Sequence, residues 1–137
     1  MFCKADSLRD LNFLLVEDHP FQLIGLQMYL NRLGFYRMTP ALDSAEALSM
    51  IKEGRRFDVL LCDQHLDGDF GLDLIAKIHQ LGGVEHALLI SGIDAPAELR
   101  QLLREAQQRR LPLRACLSKP LSESVFMDVM AGLGCVR

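Results

Sequence analysis

The sequence predicts an α/β domain: a doubly wound, five-stranded parallel sheet covered by five helices. Three observations carry this. Short apolar runs recur along the chain with no polar alternation, as expected of strands buried on both faces. Amphipathic stretches with apolar residues at helical spacing separate them. The strictly alternating order of the two patterns calls for crossover helices between parallel strands, and right-handed crossovers place helices on both faces.

The elements follow in order. "NFLLV" (Asn12–Val16) is a continuous apolar strand. "HPFQLIGLQMYLNRLG" is the first helix, opened by Pro20 and closed by Gly34, with Phe21, Leu23, Ile24, Met28, Leu30 and Leu33 near helical spacing. "FYRMTPA" is a weaker strand that Pro40 assigns to a sheet edge. "SAEALSMIKEG" takes Ser44 as its cap, turns Ala47, Leu48 and Ile51 to one face and stops at Gly54. "FDVLLC" (Phe57–Cys62) is a second fully buried strand, and "GLDLIAKIHQLGG" (Gly71–Gly83) a third helix. "HALLIS" (His86–Ser91) precedes a fourth helix, Ala97–Arg110, with Leu99, Leu102, Leu103 and Ala106 inward and Arg100, Arg104, Arg109 and Arg110 outward. "LRACLS" (Leu113–Ser118) is the last strand and "SESVFMDVMAGLG" (Ser122–Gly134) the last helix.

Composition narrows the functional classes. The chain has 137 residues, half of them hydrophobic, and a net charge of −3, which does not suit direct nucleic-acid or anionic-membrane binding. No apolar run approaches the roughly 18 residues of a bilayer span, and the N-terminus lacks a secretory pattern. Cys3, Cys62, Cys116 and Cys135 are too scattered for a disulfide framework or metal spacing, and two of them lie in strand-like runs, as buried reduced thiols would. The expectation is a cytoplasmic protein of one domain, 1–137, with its core at about 11–134.

In such sheets ligands bind beyond the carboxyl ends of the strands. Those ends carry Glu17 and Asp18 after the first strand, Asp63 after the third, Ser91 after the fourth and Lys119 after the fifth. Each has a plain structural explanation: Asp18 as a helix N-cap, Asp63 or Asp67 as a turn former, Ser91 as a loop hydroxyl, Lys119 as a solvated charge. Together they are harder to explain that way. Clustered carboxylates raise one another's pKa unless a cation intervenes, and all-oxygen ligands select Mg²⁺ over zinc. With a lysine and a hydroxyl alongside, the set suits phosphoryl transfer, with Asp63 as the acceptor.

The motifs "LLVEDHP", "DVLLCDQHL", "LLISG" and "LSKPL" resemble those of response regulator receiver domains, in the right order and over nearly the whole chain. The resemblance implies a flavodoxin-like (CheY-like) sheet of order 2-1-3-4-5. It also implies transfer of a phosphoryl group to Asp63 from a sensor histidine kinase or phosphotransfer protein. Mg²⁺ would be held by Asp18, Asp63 and the His65 carbonyl, with Glu17 acting directly or through water; Ser91 and Lys119 would contact the phosphoryl group. His65 and Ile93, each two residues beyond a site residue, would govern hydrolysis. The output domain or partner protein would be engaged through the fourth helix, fifth strand and fifth helix. The sequence departs from the family in three places: Leu66-Asp67 replaces the usual Met-Pro, the segment between Ser91 and Lys119 is longer, and Cys116 stands where an aromatic is usual. Two alternatives remain. A pseudo-receiver would use the fold for binding alone. An aspartate-nucleophile phosphatase would need a second aspartate where His65 stands. His19, His79 and His86 are not at metal spacing, and the domain is read as a signalling module, not an enzyme.

Overall fold

A computed structural model of the chain describes residues 8–92 and 96–133. A short 3₁₀ turn, Leu8–Asp10, leads into β1 (Phe13–Val16), α1 (Pro20–Arg32), β2 (Met38–Ala41), α2 (Ser44–Lys52) and β3 (Phe57–Asp63). A two-stranded hairpin follows, β4 (His65–Leu66) and β5 (Asp69–Phe70). Then come α3 (Gly71–Gln80), β6 (Val84–Ser91), α4 (Pro96–Gln108), β7 (Leu113–Ser118) and α5 (Glu123–Leu133).

The main sheet is parallel, in the order β2-β1-β3-β6-β7. With the hairpin strands set aside, this is the expected 2-1-3-4-5. Register aligns the strand ends: Val16 pairs with Cys62, Asp63 with Ile90, and Ser91 with Ser118. Glu17, Asp63, Ser91 and Lys119 therefore emerge on one edge. Alternate residues of each strand enter opposite cores. Leu14, Leu60 and Leu89 pack with Ile51, Ile75 and Ala106 under α2, α3 and α4. Phe13, Leu61 and Ile90 pack with Leu23, Leu30 and Phe126 under α1 and α5.

Several expectations are corrected. On α1, Leu23 and Leu30 are buried, whereas Phe21, Ile24 and Met28 are exposed. Both triplets, 21-24-28 and 23-26-30, have helical spacing, so periodicity alone cannot choose between them. The cap of α2 is Asp43, whose Oδ1 accepts from the Glu46 N–H at 2.7 Å, and Ser44 is already helical. Leu103 of α4 is exposed. The four arginines of that helix and its end are exposed, as expected. Cys62 is buried and Cys116 half-buried; Cys3, Ile93, Gly134 and Cys135 lie outside the described residues.

Candidate functional site: the carboxyl edge of the sheet

Asp63 ends the central strand and is almost fully buried. Its Oδ1 accepts from the His65 N–H at 3.0 Å, which fixes the first turn beyond the strand. Its Oδ2 accepts from Lys119 Nζ at 2.6 Å. Lys119 is placed by its own backbone, whose N–H donates to the Ser91 carbonyl at 2.9 Å. The ammonium also reaches Gln22 Oε1 at 2.9 Å and Glu17 Oε1 at 3.5 Å. Thus one lysine joins the ends of β1, β3 and β7 and the first turn of α1.

Glu17 is buried too, and its Oε2 accepts from the His19 N–H at 3.1 Å. Burial, a hydrogen bond with Asp63 and the Asp63 charge raise its pKa to about 7, so the carboxyl holds a proton well into the neutral range. Burial also works to raise Asp63, but hydrogen bonds from Lys119, Glu17 and the His65 amide outweigh it and hold Asp63 below the usual range. Lys119 moves the other way. Burial works against its charge, yet the hydrogen bond and charge of Asp63 prevail and raise it.

Asp18 does not cap α1. The N-cap is His19, without a side-chain bond, and Asp18 Oδ2 instead accepts from the Asp67 N–H at 2.7 Å. This ties the end of β1 to the hairpin, whose turn Asp67-Gly68 uses a Gly68 φ of +76°. Leu66-Asp67 thus lies in a tight hairpin. His65 is exposed and stacks edge-on against Phe70 at 5.9 Å. Beside it, a groove of about 230 Å³ runs between the hairpin and α4, lined by Gln64, His65, Glu98, Gln101 and Leu102. Ser91 is fully buried. Cys116 pairs with Leu89 on the α4 side of the sheet, where burial raises its thiol to about 11.

Glu17, Asp63 and Lys119 thus meet directly, while Asp18 bonds the hairpin and Ser91 reaches Lys119 through its main-chain carbonyl. Two further features differ from the expectation. Among the described residues, no three His, Cys, Asp or Glu side chains are gathered into a metal cage. Two glutamines, Gln22 and Gln64, contribute to the site although neither stood out in the sequence. Gln22 faces Lys119 from 97 residues away, which no local pattern encodes. The donor chemistry nevertheless fits a hard cation: the acids offer only oxygen, and burial together with Asp63 raises Glu17, which a bound cation would offset.

The sequence model of the response regulator receiver domain matches residues 13–130. The chain belongs to this family. Its curated relatives include the sensor histidine kinases RcsC of Salmonella typhimurium, 33% identical over 129 residues, and AruS of Pseudomonas aeruginosa, 40% identical over 134. Those alignments cover 93% and 95% of this receiver domain but only 13% of each relative. Among solved structures, a Francisella receiver domain aligns with a TM-score of 0.72 at 18% identity, covering 90% of this chain and 96% of that one. A Burkholderia pseudomallei response regulator, solved with a phosphorylated aspartic acid, calcium ion and citrate, aligns at 0.70 and 25% identity, covering 90% and 69%. Receiver domains are signalling modules of two-component systems that interact with kinases and output domains. Among the described residues no helix is long and apolar enough to cross a membrane.

Proposed function

We propose that this receiver domain is a phosphorylated switch of a two-component relay, with Asp63 as acceptor. The observation that carries the reading is the 2.6 Å contact between Lys119 Nζ and Asp63 Oδ2, made over the end of β6, which separates β3 from β7 in the sheet. The contact keeps the carboxylate ionised and therefore nucleophilic. A carboxylate oxygen of Asp63 attacks the phosphorus of a phosphohistidine, the P–N bond breaks with its electron pair going to nitrogen, and the imidazole leaves neutral by taking a proton from water. Lys119 and the Ser91 hydroxyl then take phosphoryl oxygens. Asp18, Asp63 and the His65 carbonyl would hold Mg²⁺, with Glu17 behind them. Bound there, the ion supplies charge neutralisation for the phosphoryl group. The donor is a sensor histidine kinase or phosphotransfer protein, the receiving surface is α4, β7 and α5, and the setting is the cytoplasm.

The test is incubation with acetyl phosphate and Mg²⁺ followed by intact-mass analysis. A single phosphoryl adduct, lost in Asp63→Asn, supports the reading. No adduct on the wild-type chain favours a binding-only module, and steady phosphate release from simple esters favours a phosphatase.

A further inference from the structure

The residue after the acceptor, Gln64, is a polar side chain only 8% exposed. Its amide N–H donates to the Ile90 carbonyl at 2.9 Å, in continuation of the β3–β6 ladder. Its own carbonyl accepts from the Gly71 N–H at 2.8 Å, and its Oε1 accepts from the Leu72 N–H at 3.1 Å. The first two amides of α3 thus terminate on one residue seven and eight positions earlier, outside the helix. The residue at the N-cap position itself, Phe70, offers no side-chain bond. Helix α3 is therefore capped from the acceptor strand, across the whole hairpin. Gly71 makes the close approach possible: a Cβ there would strike the Asp63 carbonyl oxygen and come within 2.7 Å of Leu89 Cδ2.

We propose that Gln64 is the positioning residue of the acceptor loop: by tying α3 to the end of β3 it fixes the peptides on either side of itself. Those peptides carry Asp63 and His65, whose N–H donates to Asp63 Oδ1 at 3.0 Å and whose carbonyl is the proposed cation ligand. This role rests on the reading of Asp63 as phosphoacceptor. A merely structural cap could be replaced by any local cap. A positioning residue could not, because a cap built at position 70 satisfies the helix without restoring the Gln64 side-chain tie. Position 70 also pairs with His65, so Phe70→Ser is the reference for the double variant.

That difference is the test. On the full chain, Mg²⁺ affinity is measured by calorimetric titration, adduct yield from acetyl phosphate by intact mass, and Tm by thermal unfolding. The proteins are wild type, Gln64→Leu, Phe70→Ser and the double variant. Phe70 already has the extended backbone of a cap, φ −117° and ψ 141°, so serine there can accept from the Leu72 N–H that Gln64→Leu releases. Gln64→Leu should lower Tm and weaken Mg²⁺ about tenfold, the lower end of losses seen when an outer support of a metal ligand is removed. In the double variant Tm should return to that of Phe70→Ser alone, while Mg²⁺ stays about tenfold weaker than in Phe70→Ser and adduct yield stays low. If Gln64→Leu does not fold, the double variant against Phe70→Ser carries the comparison alone. Recovery of Mg²⁺ affinity together with Tm, or no loss in Gln64→Leu, would overturn the positioning role. Wild-type protein with neither Mg²⁺ binding nor adduct would overturn the phosphoacceptor reading, and this role with it.

Discussion

Two acids share the buried edge, and their carboxyls are shifted in opposite directions. Lys119 holds Asp63 below the usual carboxylate range, while burial and Asp63 raise Glu17 to about 7. Each shift has a stability consequence. Glu17 titrates higher in the folded chain than unfolded, so the stability it contributes is complete below its ordinary pKa of 4.5 and is lost as pH rises through about 7. Asp63 titrates lower when folded, so its contribution is present above its ordinary 3.8 and is lost only as pH falls below that. Metal-free protein should therefore be most stable at about pH 4 and lose on the order of 3 kcal/mol by pH 8 through Glu17. Thermal unfolding across pH 5 to 8 checks this, and Glu17→Gln should flatten the decline. Saturating Mg²⁺ should also flatten it and raise Tm by mass action. A decline that persists unchanged in Glu17→Gln would assign it to another group. The acids, Ser91 and Lys119 were legible because each directly follows an apolar run that can only be a strand. What Asp18 bonds was not legible, because its partner, the Asp67 amide, lies in a hairpin 49 positions along the chain.

The elements were easier to locate than to orient. A run such as "DVLLC" has one way to be buried, so the strands and their order followed from pattern. Helix α1 has two apolar stripes, and the sheet selected the one that carries Leu23 and Leu30. Similarly, Asp43 and Ser44 are both good caps by residue type, and only the backbone decides: Asp43 is extended, at φ −157° and ψ 172°. The difference is measurable. Asp43→Ala should cost about 1 kcal/mol in urea unfolding. Ser44→Ala should be neutral or slightly stabilising, because its buried Oγ has no hydrogen-bond partner and alanine is the better helix former. Equal losses would mean that Ser44 shares the cap. At α3, Gly71→Ala should cost roughly 1–3 kcal/mol through the clash with the Asp63 carbonyl and Leu89. It should also depress adduct formation beyond what the lost stability explains, since the clash falls on the acceptor's own peptide.

At the scale of the whole molecule the helices are held unequally. Helix α3 buries five residues, including Leu72, Leu74, Ile75 and Ile78, whereas α4 buries only Ala106, with Leu99 and Leu102 partly covered. Few buried contacts mark the low-stability end of a fold. Amide hydrogen exchange in the unphosphorylated chain should therefore be faster through α4 than through α3. A beryllofluoride adduct at Asp63 should change exchange across residues 91–110 and leave 113–117 little altered, because Cys116 has no ring to swing. Changes centred on β7 with α4 spared would refute this. The pattern of a receiver domain was visible in the sequence because strand ends carry its chemistry. The weak hold on α4 was not, because a helix rich in exposed polar residues reads as amphipathic whether it grips the sheet or rests on it.

The rings of the α1–α5 layer give this inequality a mechanical meaning. Phe13 meets Phe35 at 5.5 Å, Phe35 meets Phe126 at 5.9 Å, and Phe126 meets Tyr29 at 6.3 Å, all edge to face. The Tyr29 hydroxyl then donates to the Leu121 carbonyl at 3.3 Å, at the entry to α5. Edge-to-face pairs are directional, so sliding one helix here misaligns several at once. The opposite layer has Phe57 as its single buried ring among the described residues, so α4, with Ala106 alone buried, is seated there by non-directional packing. A phosphoryl group on Asp63 would then meet interlocked rings on one side and, on the other, a single loosely seated helix.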